Sequence, residues 1–287
     1  MNTSRRNFLK LSAIGAAALG ASSLVACSEA PKSSNTKENT GEIKATREET
    51  CDILVAGSGT TGTCAAIRAA ELGANVIWVE KTSSKGGTSV FTEAMAGVNS
   101  QSQHDSNITF DNHSVYYDLM DYQDWGALSK VVRTFVEHSG ETIDWISEKG
   151  TEVIASPVEG YPATKYLHMS FVDGNYSRIG KGILEPLWSY GDTLSNLDYR
   201  DSSPIIGLVH DGNAVTGAFV KSANGEISKI TAKAIILATG GYCNNKEMYE
   251  LYTQSSYERM KFWGLEGRDG DGINFAKDAG AVLHAPR

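Results

Sequence analysis

The sequence predicts an α/β fold: a parallel sheet with helices packed on it and a small antiparallel β-meander attached. Three observations carry that prediction. A short apolar strand, Asp52 to Ala56, runs into the turn Gly57-Ser58-Gly59-Thr60-Thr61-Gly62 and a helix of small residues; a second apolar strand, Val76 to Val79, then ends on Glu80. Between Ile205 and Ile230, alternating runs are separated by Asp211-Gly212-Asn213 and Asn224-Gly225, pairs that favour tight hairpin turns. A last apolar strand, Ala234 to Leu237, leads into Ala238-Thr239-Gly240-Gly241.

Each part of the first unit has a physical task in holding a dinucleotide. Gly57 permits a tight turn, Gly59 lets the backbone approach a pyrophosphate, and Gly62 brings the helix close to the sheet. The helix N-terminus, which begins around Thr60 and Thr61, faces the diphosphate charge. Glu80 lies 23 residues beyond Gly57, at the end of the second strand, where its carboxylate can accept both ribose hydroxyls. With 29 glycines in 287 residues, chance matches to G-x-G-x-x-G are expected. The strand before this one, the helix after it and the acid in register are what make it specific.

After Glu80 comes Lys81 and then a loop ending in Gly86-Gly87-Thr88-Ser89, rich in backbone N–H groups and hydroxyls. A solvated loop is the plain alternative; directly after the acid of a dinucleotide fold, such a loop is placed to wrap adenosine or diphosphate oxygens. The stretch Phe91 to Asn99, with Gly97 in it, is small and apolar. It suits a backbone lying flat against a planar ring, or ordinary core packing. From Ser114 to Gly150 apolar residues recur at helical spacing, interrupted at Gly140 and ending at Lys149-Gly150. Helical packing is sufficient explanation for Trp145. Ser156 to Asn175 reads as irregular loop and Gly182 to Tyr190 as a short helix. Ile227–Ile230 and Ala234–Leu237 read as two strands. The turn Ala238 to Gly241 sits at the C-terminal edge of its strand, where open parallel sheets bind ligands.

A net charge of −8 and a pI near 5.3, with no basic stripe, argue against a nucleic-acid surface. The N-terminus has its own logic. Ser4-Arg5-Arg6-Asn7-Phe8-Leu9-Lys10 reads as a twin-arginine signal, followed by a mildly apolar run of 15 residues from Leu11 to Val25. That run is short of the roughly 20 residues a spanning helix needs. It ends in Leu24-Val25-Ala26-Cys27, which resembles a lipobox, so residues 1–27 are expected to direct export and Cys27 to be acylated after cleavage. The expected location is the outer face of the cytoplasmic membrane, or the periplasm. Residues 28–50 are polar and read as a flexible tether. Cys51, Cys64 and Cys243 have no paired spacing and the histidines are scattered, so neither a disulfide framework nor a metal site is expected.

Taken together, these pieces resemble a known family. Gly57 to Gly62 with Ala66, Glu80-Lys81, Gly86 to Ser89, Ala96 to Asn99, Ala238 to Gly241, and Gly270-Asp271-Gly272-Ile273 with Ala276 and Gly280-Ala281 are similar to the N-terminal half of the fumarate reductase and succinate dehydrogenase flavoproteins. The resemblance runs from about Cys51 to His284. It implies a Rossmann-like FAD-binding domain at 51–245 and the start of a capping domain at 246–287. By the same resemblance Gly57, Gly59, Thr60, Thr61 and Gly62 hold the diphosphate and Glu80 the adenosine ribose. Lys81, Gly86, Gly87, Thr88 and Ser89 flank the adenosine and ribityl chain, and Gly97 approaches the flavin ring. Ala238, Thr239 and Gly240 return to the adenosine side. Thr88-Ser89 stand where covalently flavinylated members carry a histidine, which implies noncovalent attachment.

The implied chemistry is hydride transfer between flavin and an activated C=C bond of a small organic substrate, with a membrane quinol or a cytochrome as electron donor. Family members are nearly twice as long, and the residues that act on substrate belong to their other half. No catalytic residue is therefore assigned, and a second polypeptide supplying that half is an expected partner. Two alternatives remain: a truncated, non-catalytic flavin-binding lipoprotein or gene remnant, and an NAD-dependent dehydrogenase, which the meander and the Ala238–Gly241 turn disfavour.

Overall fold

The computed structural model describes residues 43–157, 165–170, 179–212, 214–262 and 266–284. The export signal, Cys27, most of the tether and Asn213 lie outside the described residues. The compact unit begins at Lys44. In chain order its strands are β1 (Arg47–Ala56), β2 (Val76–Val79), β3 (Met95–Ala96), β4 (Val153–Ala155), β5 (Leu167–Ser170), β6 (Leu197–Arg200), β7 (Ile205–Asp211), β8 (Ala214–Lys221) and β9 (Ile227–Leu237). Its helices are α1 (Thr60–Glu71), α2 (Gln101–Asp105), α3 (Asn112–Tyr122), α4 (Ser129–Glu148), α5 (Ile179–Gly191), α6 (Lys246–Thr253) and α7 (Asp271–Asp278).

A six-stranded sheet has the order β6-β2-β1-β9-β8-β7. Strands β6, β2, β1 and β9 are parallel, and β8 and β7 complete it antiparallel. The expected mixed α/β architecture is thus present. Side chains of β1 alternate between two covered faces, which is why its apolar run is continuous. Leu54 and Ala56 pack on one face with Ile77, Val79, Ala218 and Ile230. Val55 packs on the other with Val76, Trp78 and the Ala66 and Ala70 of α1. Alanines suit α1 twice over: they favour helix and they let its axis lie near the sheet. A separate three-stranded sheet has the order β3-β5-β4, all pairs antiparallel.

Several elements differ from the sequence expectation. Strand β1 begins at Arg47, inside the stretch read as tether, because Arg47 to Cys51 pair in parallel with Ser228 to Ala232. The two runs at Ile227–Ile230 and Ala234–Leu237 form one strand, β9. Its first half is paired on both sides, with β8 and with β1, so the polar residues between the runs are held in the ladder by their neighbours. Strand β6 had no clear signal; it exists by parallel pairing with β2. Strand β5 falls inside the region read as loop and is the middle strand of the small sheet. The Ser114–Gly150 periodicity resolves into α3 and α4, and α5 starts earlier than Gly182. Gly140 does not interrupt α4. A Cβ there would stand 2.3 Å from the Val98 carbonyl oxygen, so glycine lets the chain after β3 cross directly over the helix.

Candidate functional site

Three strand ends meet at one edge of the large sheet. The Gly57 N–H donates to the Val79 carbonyl (2.8 Å) and the Ala238 N–H to the Ala56 carbonyl (2.7 Å), which draws together the C-terminal ends of β2, β1 and β9. Above this edge lies a cleft of about 560 Å3. Gly57, Gly59, Thr60, Thr61, Glu80, Lys81, Gly87, Thr88, Ser89, Ala238, Thr239 and Gly240 all contribute to its walls. Residues from four separate stretches of sequence are therefore assembled around one space.

The turn between β1 and α1 is built on the absence of side chains. Gly57 has φ +102°, and a Cβ there would fall 2.2 Å from the Ala238 carbonyl oxygen. Gly62 lies behind the cleft wall, and a Cβ on it would fall 1.9 Å from the Gly57 carbonyl oxygen. Helix α1 therefore starts as close to the strand ends as backbone permits. Gly59 is its N-cap and has no side chain to cap it, and no acidic residue sits in the first turn. Such an end, with donors outward and the positive pole of the helix behind them, suits an anion. Ser89 reaches across to it, its hydroxyl oxygen accepting from the Thr60 N–H at 3.0 Å.

Glu80 is buried at the floor, and its carboxylate takes part in four hydrogen bonds. One oxygen (Oε2) accepts from the Ser58 N–H at 2.9 Å and the Ser58 hydroxyl at 2.7 Å; the other (Oε1) accepts from the Thr82 N–H at 2.8 Å and the Thr82 hydroxyl at 2.9 Å. Those bonds occupy the four directions in which a carboxylate accepts. The sequence had suggested a carboxylate open to a ribose diol. One of the four bonds is replaceable, because the single Thr82 hydroxyl hydrogen also has the Ser84 carbonyl oxygen at 3.0 Å. A turn of that hydroxyl to Ser84 opens one acceptor position on Oε1.

Lys81 is placed at the cleft but is committed elsewhere, its ammonium lying 2.5 Å from Asp269 and 2.7 Å from Asp271. Burial alone would lower its pKa; the two aspartates outweigh that and raise it. Lys81 thereby ties the end of β2 to the start of α7. Arg268 contributes a different cation. It lines the cleft, and its Nε is buried without a hydrogen-bond partner. A donor left over in a cleft with a helix N-terminus on its wall fits a bound anionic group such as a diphosphate.

Besides Gly62, two residues of the expected set stand apart from the wall. Gly86 is not on the wall; its N–H donates to the Ser58 hydroxyl oxygen at 2.9 Å and so anchors the loop carrying Gly87 to Ser89. Gly97 belongs to the small sheet region, where its N–H donates to the Tyr166 carbonyl and its carbonyl accepts from Gln103 Nε2. Beside it His168 is fully buried, with Nε2 2.6 Å from the Ser100 hydroxyl, and burial lowers its pKa. Residues not anticipated on the wall include Thr82, Ser203, Cys243, Arg268, Asp271 and Phe275. The Gly270-Asp271-Gly272 turn carried a signal for the last group; Ser203 had none. Among the described residues Cys51, Cys64 and Cys243 are free, and no group of three or more His, Cys, Asp or Glu side chains stands ready to hold a metal.

Comparisons with known proteins agree with this geometry. A family profile described as "FAD binding domain" matches residues 52–286. A vinyl phenol reductase of Lactiplantibacillus plantarum is 31% identical over 238 residues, covering 82% of this chain and 47% of that protein. A probable fumarate reductase, Ifc3, of Shewanella frigidimarina is 29% identical over 245 residues, covering 84% of this chain and 40% of that protein. The open conformation of a flavocytochrome c3 fumarate reductase superimposes with a TM-score of 0.74 at 29% identity, over 83% of this chain and 42% of that one. The chain thus spans less than half the length of each of these proteins.

Proposed function

The chain belongs to the FAD binding domain family, whose cofactor is FAD, and from that premise we propose that it is the cofactor-holding half of an oxidoreductase of fumarate reductase type. The observation that carries the reading is the cleft itself, in which the Gly57–Thr61 turn, Glu80, the Gly87–Ser89 loop and the Ala238–Gly240 turn surround one space. In this reading the α1 N-terminus and Arg268 hold the diphosphate, and Glu80 takes a ribose hydroxyl at the position Thr82 can yield. The glycines keep the backbone near enough for direct N–H contact. Attachment is noncovalent, because Thr88 and Ser89 stand at the position expected to carry a linking histidine.

Bound flavin would supply hydride transfer to or from an activated C=C bond of a small organic substrate. The names of the similar proteins, a vinyl phenol reductase and a fumarate reductase, support that reaction class. Because the chain covers less than half of those proteins, residues acting on substrate would come from sequence outside these 287, on the same or a second polypeptide. Electrons would come from a membrane quinol or a cytochrome. The Ser4–Lys10 and Leu24–Cys27 motifs support export by the twin-arginine route and lipid anchoring at Cys27, on the outer face of the cytoplasmic membrane or in the periplasm. No helix among the described residues is long and apolar enough to cross a membrane.

The test is direct. The purified chain, mixed with FAD and desalted, is expected to retain flavin absorbance, and denaturation should release all of it to the supernatant. A chain that retains none loses the reading; flavin that stays with the precipitate refutes noncovalent attachment. A second reading, a flavin-binding lipoprotein without catalysis of its own, rests on the cleft, whose lining offers cofactor contacts and no residue assigned to a substrate. Reduction of fumarate, or of a vinyl phenol, by the loaded chain with a reduced dye would exclude it.

A further inference from the structure

We infer that Lys85 is a positioning residue for the diphosphate end of the cleft, acting through an aromatic cage on the far side of the loop; this rests on the FAD reading above. Its ammonium lies 4.0 Å from the centroid of the Tyr199 ring, 5.3 Å from that of Trp78 and 6.0 Å from that of Trp188. An ammonium facing ring faces at these distances is attracted by their quadrupoles, and more strongly as water is excluded. The Lys85 side chain is only 21% exposed. The acid it pairs with, Asp192, is 3.6 Å away and 70% exposed, an ion pair that contributes little. The rings hold Lys85, and the carboxylate is secondary.

The cage is rigid and wired to the cleft. Trp78 on β2 and Tyr199 on β6 are partners in the parallel ladder, and their rings meet edge to face at 4.7 Å. The Trp78 indole N–H donates to the Gly57 carbonyl at 2.8 Å, and the Trp188 indole N–H to the Thr63 hydroxyl at 3.2 Å. Both anchors are in the glycine turn or the first turn of α1. From Lys85 the chain runs straight into Gly86, bonded to Ser58, and then to Ser89, bonded to the Thr60 N–H. The loop over the α1 N-terminus is therefore pinned at its start by the cage and at its end by the helix. Lys85 does not line the cleft, so its effect passes through the loop.

Lys85→Met keeps the stem and removes the charge; Lys85→Arg keeps a cation that can sit against the rings. FAD, ADP and adenosine affinities are read by fluorescence titration and by competition, which reaches into the millimolar range. Lys85→Met is expected to weaken FAD and ADP by about tenfold or more, with adenosine changed by no more than about twofold and Lys85→Arg within about threefold of wild type for all three. Unchanged FAD and ADP affinity in Lys85→Met overturns the inference, as does an equal loss for adenosine, which would indicate general loosening. Should Lys85→Met fail to fold, Lys85→Gln also removes the charge and is expected to give the same selective loss, with the same outcomes overturning it. A wild-type chain that binds neither FAD nor ADP refutes the cofactor reading itself, a result distinct from either failure.

Discussion

Helix α1 meets a cleft at its N-terminal end and a knot of charge at its C-terminal end, and each end has a glutamate that accepts from four hydrogen-bond donors. Glu80, beside the N-terminal end, accepts only from neutral groups, the N–H and hydroxyl of Ser58 and of Thr82. Glu71, in the last turn, accepts from Lys149 Nζ at 2.8 Å, Arg68 Nη1 at 2.9 Å, the Trp145 indole at 2.9 Å and the Tyr190 hydroxyl at 2.9 Å. Arg68 lies on α1 itself; the other three come from α4, from the residue that follows it and from α5, so the cluster fastens helices that are distant in sequence. A carboxylate held by cations is costly to disturb, whereas one held by hydroxyls can exchange a partner. On the FAD reading, the same residue type serves cohesion at one end and recognition at the other.

The harshest way to break the comparison is at the N-terminal end, with Gly62→Ala. Its Cβ would stand 1.9 Å from the Gly57 carbonyl oxygen, a clash of backbone on backbone that no rotamer relieves. A loss of about 4 kcal/mol or more in urea unfolding is expected, together with loss of measurable FAD binding. Normal binding in this variant would mean that the turn is not held as tightly as it stands here.

At the other end, Glu71→Gln separates stability from binding. Burial would raise the Glu71 pKa, but hydrogen bonds from Lys149, Trp145, Arg68 and Tyr190 outweigh it and hold the carboxyl at about 2 against a usual 4.5. As pH falls, the unfolded chain therefore takes up the proton first. The contribution is whole above pH 4.5 and is lost as pH falls towards 2. Its size at neutral pH is about 3 kcal/mol. The variant should lose about that much at pH 7, and its deficit relative to wild type should shrink as pH drops through the window. FAD affinity of the folded protein should stay within about threefold of wild type. Equal deficits at pH 7 and pH 3 would show that the charge is not what the cluster uses.

Glu80→Gln should reverse that pattern. An amide turns its own NH2 toward two of the four donors, and a stability loss of about 2 kcal/mol follows from the unmatched groups. FAD affinity should fall by about tenfold or more, since the ribose loses its acceptor and the Ser58 and Thr82 loops lose their common anchor. A variant destabilised as much as Glu71→Gln, with FAD affinity untouched, would make the two ends equivalent and dissolve the distinction.

What the sequence made legible at these two ends differs for a physical reason. The β1–α1–β2 unit and its Glu80 are fixed by short-range rules: a strand, a turn that tolerates only glycine at two places, a helix, a strand and an acid. Glu71 looked like any helix-end carboxylate, since its main partners lie more than 70 residues away, at Trp145, Lys149 and Tyr190. Strand β6 is hidden for the same reason: Leu-Asp-Tyr-Arg alternates over only four residues, too short a pattern to mark a strand by itself, and pairing with the β2 edge makes it one. Gly140 reads as a break by local propensity, while the Val98 carbonyl that requires a glycine there belongs to another segment. The Ser58 and Thr82 hydroxyls were hidden differently. Both flank recognised motif positions, yet nothing local states that they point at the acid.

Thr82 gives the gentlest and sharpest test of the exchange idea. Thr82→Val keeps the β-branched shape and the backbone N–H bond to Glu80 Oε1 but deletes the hydroxyl, at a cost of about 1 kcal/mol in stability. Two opposite outcomes then bear on FAD. If the hydroxyl only stands in for a ribose hydroxyl, its removal leaves an acceptor position on Oε1 open, and affinity should hold or rise by about threefold. If Thr82 instead touches the ribose directly, affinity should fall by a similar factor. The first outcome is expected, because the Ser84 carbonyl already lies within reach at 3.0 Å to receive the displaced hydrogen. The sign of a small change thus decides whether the neutral donors around Glu80 are replaceable, which is the property that sets this end of α1 apart from the one at Glu71.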